Sequence, residues 1–158
     1  TAPLAASRTP QERIDLLVRA AALHELGRLA SPPEETERLQ GRPESSGAHY
    51  AASVMAVERL LAPIASLRQV REIILRSAEW FDAASNPLIP GGVGVPIESR
   101  ILATCEEFVA LSAGADDAVA AAHVLKSFRK RRGRQHDPEV VAALVRVVEA
   151  GGPQGGAR

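Results

Sequence analysis

The residues of this sequence whose types and spacing best suit chemistry are the adjacent His24 and Glu25. The positions three, seven and ten residues before His24 are Ala21, Leu17 and Ile14. This spacing puts His24 on the apolar side of a helix. An imidazole followed by a carboxylate, placed near a helix end and directed inward, is how several helical hydrolases begin a metal site. A buried, hydrogen-bonded structural histidine explains the pair as well, and for any single histidine that is the better interpretation.

A second feature with chemical potential is the basic run from Arg129 to Arg134, which holds five cationic side chains in six positions. Such a run can bind phosphate or a nucleic-acid backbone. Because the chain has no net charge and the run contains no aromatic residue, we interpret it as a solvated helix end that the helix dipole favours. For the other candidates we expect core or helix-contact positions at His123, Trp80 and Cys105, and a surface position at His136.

The composition is that of one soluble globular domain. The chain has 158 residues, of which 46% are hydrophobic and 24% charged, and its formal net charge is zero. A neutral chain lacks the electrostatic footprint of a general nucleic-acid binder. The single cysteine excludes an internal disulfide and suits a reducing compartment, so we expect a cytoplasmic protein. No membrane span or signal peptide is visible, and a first residue of Thr1 instead of Met suggests an excised or trimmed piece.

The elements that must position these residues are helices. Thr9 and Pro10 open the first helix, which should run as far as Gly27 with Ile14, Leu17 and Val18 on its inward side, followed by Ala21 and Ala22. Apolar stripes at helical spacing predict further helices at about 47–61, 67–81, 97–111, 116–128 and from 138 onward. The stretches 32–46 and 83–96 are expected to be loops, and 151–158 a flexible tail. The sequence therefore predicts an all-α helical bundle, with residues 1–150 as its domain.

Several short segments occur in an order typical of one family. Around His24 the chain reads Leu-His-Glu-Leu-Gly-Arg where that family has Leu-His-Asp-(Ile/Val)-Gly-Lys, and His49 stands where a His-Pro pair opens the next helix. Residues 95–103, Val-Pro-Ile-Glu-Ser-Arg-Ile-Leu-Ala, follow the family's Ile-Pro-Leu-x-Ala-Arg-Ile-Leu-Ala. Glu106 falls at its last metal-ligand Asp, and residues 136–141 mirror its closing Phe-Asp-Pro-x-(Leu/Val)-Val. From about residue 11 to 148 the chain resembles the HD-GYP branch of the HD phosphohydrolase superfamily.

The resemblance implies a helical bundle of HD-domain type, and family members usually carry further helices that would lie ahead of Thr1. Proteins of that family use a cluster of iron or manganese ions to activate water and cleave cyclic di-GMP. By resemblance, the remnant metal ligands are His24, Glu25, His49 and Glu106. The remnant catalytic positions are His24, Glu25, Arg28 and Glu79.

Departures from the family's pattern indicate that this site has degenerated. Aligned with the family's His-His-Glu-Arg-Trp-Asp-Gly-(Ser/Thr)-Gly-Tyr-Pro, Ser77 and Ala78 fall under the histidine pair, and Glu79 survives. Alanine cannot bind a metal, and a serine hydroxyl is a poor substitute for imidazole. Glutamate in place of aspartate at Glu25 and Glu106 keeps the charge but adds a methylene that displaces the ligand oxygen. A polynuclear metal centre is therefore not expected.

Three functions fit this pattern. The first, which we expect, is a catalytically inactive HD-GYP-like regulatory or interaction domain of a bacterial signalling protein, without a cofactor. Its partners would be other signalling domains or proteins, a cyclic dinucleotide or a second copy of the chain. The alternative is a weak metal-dependent phosphodiesterase acting on cyclic di-GMP or a related phosphoester, with iron or manganese in a reduced site. The third is a helical effector or DNA-associated regulator that binds through the basic run. Loss of the histidine pair favours the first over the second.

Overall fold

The computed structural model of the chain describes residues 9–30, 46–82, 94–112 and 118–150. Because no strand occurs in these ranges, the all-α expectation is confirmed. Within them, no helix combines the length and the apolar content that a bilayer span requires. The helices are α1 (Pro10–Leu23), α2 (Leu26–Ala30), α3 (Ser46–Leu61), α4 (Arg68–Arg76), α5 (Ile97–Ser112), α6 (Ala118–Arg131) and α7 (Pro138–Glu149), with a 3-10 turn at Ala65–Leu67.

The starts of α1 and α7 follow directly from their sequences. Thr9 Oγ1 accepts a hydrogen bond from the Glu12 backbone N–H at 3.3 Å, and Glu12 Oε2 accepts one from the Thr9 N–H at 2.8 Å. With Pro10 at the first helical position, these bonds form a capping box. Asp137 caps α7 in the same sense, because its Oδ1 accepts from the Glu139 N–H at 2.7 Å. Both helix starts are where the sequence predicts them.

The end of α1 is different from the prediction. We expected one helix as far as Gly27, but α1 stops at Leu23, His24 caps it, and α2 begins at Leu26. The Gly27 N–H donates to the His24 carbonyl at 3.2 Å and closes the turn between the two helices. The break lets α2 turn away from the line of α1 and pack on α3.

The crossing of α2 and α3 depends on the glycine at position 27. A Cβ atom added to Gly27 would lie 2.1 Å from the carbonyl oxygen of Ser53 and 2.6 Å from its hydroxyl oxygen. Atoms cannot approach this closely, so no other residue fits here without a shift of the backbone. Gly27 is therefore needed for the close contact of the two helices, three residues after His24.

The main hydrophobic core lies between α1, α3, α4 and α5. Deeply buried aliphatic side chains such as Ile73 each contribute about 1.5–3 kcal/mol to stability. The stripes predicted for α3 and α4 point inward, as expected. The buried members are Ala20, Val54, Val57, Leu61, Val70, Ile73, Ile74 and Leu102.

The inward face predicted for α1 is confirmed at Leu17 and wrong at Ile14 and Val18. Ile14 and Val18 are 52% and 60% exposed. Beside Leu17, the core takes Ala20, Leu16 and Leu23. The physical reason is that the main contacts of α1 among the described helices are with α4 and α5, so its contact stripe follows this row of residues.

The helix α4 is shorter than predicted. It ends at Arg76, whereas the apolar stripe suggested a continuation to Phe81. Beyond it, the backbone N–H groups of Phe81 and Asp82 donate to the carbonyls of Gln135 and Arg134 at 3.2 and 2.9 Å. The segment after α4 thus leaves the helix because it pairs with the turn between α6 and α7.

A second, smaller core joins α6 and α7 to α5. Phe128 and Val141 are buried in it, and the ring of His136 lies 4.8 Å from the ring of Phe128. His136, expected on the surface, is buried, because α5 supplies polar partners for both of its ring nitrogens. Cys105, expected in the core, is exposed, since the buried side of α5 passes through Leu102 instead. The His123 side chain lies outside the described residues.

We predict that Gly27→Ala destabilises the domain by about 2–3 kcal/mol, because the added methyl group collides with the Ser53 carbonyl. Chemical denaturation followed by circular dichroism measures this loss. Gly133→Ala is the matched control: Gly133 has a φ of 81°, but its added Cβ would meet only Pro138 Cγ at 3.9 Å. The control should cost about 1 kcal/mol. A larger loss of stability in Gly133→Ala than in Gly27→Ala would contradict the packing argument.

Candidate metal centre

Three potential metal ligands converge where α1 ends. His24 caps α1, Glu25 follows it, and Glu106 lies in the second half of α5. His24 Nε2 is 2.6 Å from Glu106 Oε1 and 3.2 Å from Glu25 Oε1. The three donor atoms all lie within 4.8 Å of one another. The structure thus brings together three of the four metal-ligating residues that the resemblance implied.

The fold achieves this by setting α1 and α5 side by side in the same direction. Arg13, in the first turn of α1, donates from Nε to Oε1 of Glu98, in the first turn of α5, at 2.6 Å. The Glu98 carboxylate is buried, so this pair fixes the register of the two helices. At the other end of the pairing His24 meets Glu106. The break after Leu23 adds Glu25 to the same place.

The imidazole of His24 has a defined tautomer. Its Nδ1 lies 2.6 Å from the carbonyl oxygen of Ala21. A carbonyl oxygen can only accept, so Nδ1 must carry a hydrogen and donate it. In the neutral ring the lone pair is then on Nε2, the atom that faces the two carboxylates. A backbone carbonyl on the far nitrogen is the usual way in which a protein orients a metal-binding histidine.

The environment of Nε2 requires positive charge. A lone pair and two carboxylate oxygens repel one another, so a proton or a cation must lie among them. Burial alone would lower the pKa of His24, but the adjacent Glu106 carboxylate, with smaller effects from Ala21 and Glu25, raises that pKa above its ordinary value. Nε2 has no partner in hydrogen-bond geometry, so the oxygens flank its lone pair instead of lying along it.

This arrangement fits one divalent cation. Two donor atoms that bind one ion at right angles lie about 3 Å apart, close to the separations of 2.6 and 3.2 Å between Nε2 and the oxygens. One imidazole and two carboxylates form a mixed set of donors that suits iron or manganese. Glu25 is half exposed, which leaves one side of the cluster open to solvent.

The comparison with protein families agrees with this geometry. Residues 4–140 match the family model of the HD domain. The chain belongs to the HD domain family. No curated protein matches the chain. HD domains typically bind divalent metals, and His24, Glu25 and Glu106 are what the described part of this HD domain offers to one.

Two of the expected site residues cannot be placed in detail. His49 belongs to α3, and Arg28 belongs to α2, but the side chains of both lie outside the described residues. The backbones of α2 and α3 pack on each other. The fourth expected ligand of this HD domain therefore remains a prediction.

Ser77, Ala78 and Glu79, which the sequence resemblance aligns with the HD-GYP histidine pair and the glutamate after it, all make structural contacts in this HD domain. Ser77 is buried, and its hydroxyl donates to the Ile74 carbonyl at 2.6 Å. Ala78 packs against the main core. Glu79 accepts two hydrogen bonds from Arg76, from Nε at 3.0 Å and from Nη2 at 3.1 Å. Glu79 is thus engaged in an ion pair and does not belong to the His24 cluster.

The sequence reasoning missed a second polar cluster on α5. His136 Nε2 lies 2.6 Å from Glu107 Oε2, and Gln135 Nε2 donates to the same oxygen at 2.7 Å. Thr104 Oγ1 donates to the Arg100 carbonyl at 2.8 Å and lies 3.2 Å from His136 Nδ1. The pair of adjacent acids at 106 and 107 was the available signal, because neighbours on a helix point to different sides. Only the structure shows that the second acid meets His136.

We predict that Mn²⁺ stabilises the domain and that Glu106→Gln abolishes this effect, because the variant removes one of the ion's ligands. At a free Mn²⁺ concentration one hundred times Kd, the gain is about 2.7 kcal/mol. Denaturation in chelator and in Mn²⁺ measures it. Glu107→Gln changes the adjacent acid, which faces His136, so its Mn²⁺ response should match that of the unaltered chain. An unchanged response in Glu106→Gln would contradict the assignment.

Proposed function

We propose that this chain is a degenerate HD-GYP-type domain that holds at most one divalent cation and serves as a regulatory or interaction domain of a bacterial signalling protein. It does not act as a cyclic di-GMP phosphodiesterase in this proposal. The observation that carries the proposal concerns Ser77 and Ala78, which align with the histidine pair of the HD-GYP family. The Ser77 hydroxyl is hydrogen-bonded within the protein, and Ala78 packs against the core.

Counting the available ligands supports the loss of hydrolysis. A pair of ions that clamps both the attacking and the leaving oxygen needs ligands for each metal. His24, Glu25 and Glu106 can surround one ion only, since their donor atoms form a single group within 4.8 Å. Glu79, the remaining acidic remnant in the described residues, is held by both nitrogens of the Arg76 fork. A second ion would find no further ligand in this described cluster.

The residues of the retained cluster would act by binding and orientation. The Ala21 carbonyl holds the Nδ1 proton, so that Nε2 presents its lone pair to the ion. Glu106 approaches from α5 and Glu25 from the turn after α1, so the ion would tie the two helices together. In this role the cluster stabilises a helix junction and reports on the availability of metal, which suits a regulatory domain.

A weak, single-ion phosphodiesterase is the second candidate. It is favoured by His24 Nε2, which forms no hydrogen bond within the described residues, and by the half-exposed Glu25, which leaves the cluster accessible from one side. When bound, a divalent cation supplies Lewis-acid polarisation of a phosphoryl group. The preference for the regulatory function comes from the positions that the resemblance aligns with further site residues of the family, because Ser77 and Glu79 form structural contacts there.

Partners and location belong to the same proposal. As a regulatory module, the domain would work in the cytoplasm with other signalling domains or proteins, with a cyclic dinucleotide that binds without being cleaved, or as a homodimer. The motifs at His24, at residues 95–103 and at Glu106 support the HD-GYP branch within the HD family.

The test is a joint measurement of metal content and hydrolysis. We expect the domain, purified without chelators, to contain no more than one equivalent of iron, manganese or zinc and to show no turnover of cyclic di-GMP. Elemental analysis and chromatography of the nucleotide products on the same sample measure both. Two bound ions with turnover would overturn the proposal. One ion with turnover that disappears in His24→Ala would establish the second candidate in its place.

A further inference from the structure

Positive charge in this domain is concentrated at one turn. Five of the 19 basic residues occupy positions 129–134, with no acid among them. The rest of the chain therefore holds 14 basic residues against 19 acidic ones. Although the net charge of the chain is zero, this turn is strongly basic and the rest of the chain is acidic. Such a separation of charge favours a partner that carries negative charge at the turn. We call the segment 129–134, at the end of α6, the basic turn.

The backbone of the basic turn is held firmly. The Arg132 N–H donates to the Phe128 carbonyl at 2.9 Å and ends α6, and the Gly133 N–H donates to the His136 carbonyl at 2.8 Å. Gly133 has a φ of 81°, which a glycine adopts at little cost. The Asp82 N–H donates to the Arg134 carbonyl at 2.9 Å and ties the turn to the segment after α4.

Buried contacts anchor the turn from its other side. His136 is 2% exposed and lies against Glu107 and Thr104 of α5. Asp137 is 3% exposed and is hydrogen-bonded to Arg100 of the same helix. A solvated helix end would fray, whereas this turn is built into the fold by two buried polar residues directly after it.

Arg129, Lys130, Arg132 and Arg134 of the turn are exposed to solvent and only partly neutralised. Arg129 is 55% exposed and pairs with Glu149 at 2.9 Å, and Arg134 is 73% exposed and lies 3.6 Å from Asp82. Lys130 and Arg132 are exposed and have no ion pair among the described residues. The helix end supplies only about half a negative charge. Uncompensated positive charge therefore remains on a rigid, exposed support.

We propose that the basic turn is a docking surface for a short acidic segment of a partner protein, rich in aspartate or glutamate. The inference deepens the interaction role proposed above and rests on it. A carboxylate-rich segment of a few residues matches the length of the turn and can pair with guanidinium groups through two bonds each. A long nucleic acid is disfavoured, because it would extend over the acidic remainder of the chain and would find no aromatic residue within the turn for stacking.

The test uses a fluorescein-labelled octaglutamate peptide and the full chain at low salt. We expect the peptide to bind and Lys130→Gln/Arg132→Gln to weaken its affinity about tenfold, the effect of removing two charged contacts. Fluorescence anisotropy measures the affinity, and added NaCl should weaken it. The matched control is Arg59→Gln/Arg68→Gln, which removes the same charge from two exposed arginines elsewhere and should leave the affinity within about twofold.

Three results would overturn the inference. They are no binding of the peptide at low salt, equal weakening in the control variant, and a single-stranded oligothymidylate of equal charge that binds more tightly than the peptide through the same two residues. The thermal unfolding of each variant verifies that it is folded. If the peptide test fails and the domain also does not hydrolyse cyclic di-GMP, the docking surface is refuted, whereas the proposed regulatory function is not.

Discussion

The lone pair of His24 Nε2 faces two carboxylates, and the rest of the site depends on supplying a positive charge there. The Ala21 carbonyl accepts the hydrogen of Nδ1, so the neutral ring cannot carry its hydrogen on Nε2 instead. The break after α1 brings Glu25 into place, and the Arg13–Glu98 pair aligns α5 so that Glu106 arrives opposite. These features have separate positions in the sequence, yet they act on one atom.

The local starts of the helices could be predicted from the sequence, because caps and prolines act within a few residues. The Thr9 box and the Asp137 cap are examples. The rotation of α1 about its axis could not be predicted, because Ile14 and Val18 are as apolar as the α1 residues that the neighbouring helices cover. The burial of His136 depends on Glu107 and lies equally outside the reach of a local pattern.

For the candidate site, the order of motifs was more informative than any single motif. It related Glu106 to His24 across more than half of the chain, and the two side chains are in contact. Spacing alone could not have shown this, because the register of α1 against α5 is set by a pair at their other ends, Arg13 and Glu98. The same helix uses the next acid, Glu107, to hold His136, so α5 connects the cluster with the anchor of the basic turn.

Ser77, which the proposed HD-GYP alignment sets under a histidine, and Glu79, which that alignment retains, both stabilise the fold. The Ser77 hydroxyl is hydrogen-bonded within a buried turn, where a larger imidazole would have to displace packed neighbours. Glu79 holds Arg76, whose Nη1 also donates to the Gly94 carbonyl at 2.7 Å and so connects α4 with the segment that leads into α5. A histidine at position 77 would therefore cost stability, and so would a rearrangement that frees Glu79 from Arg76 to bind a metal. In the proposed HD-GYP-type domain, a two-ion site would therefore require several coordinated substitutions, whereas a one-ion site at His24 needs none.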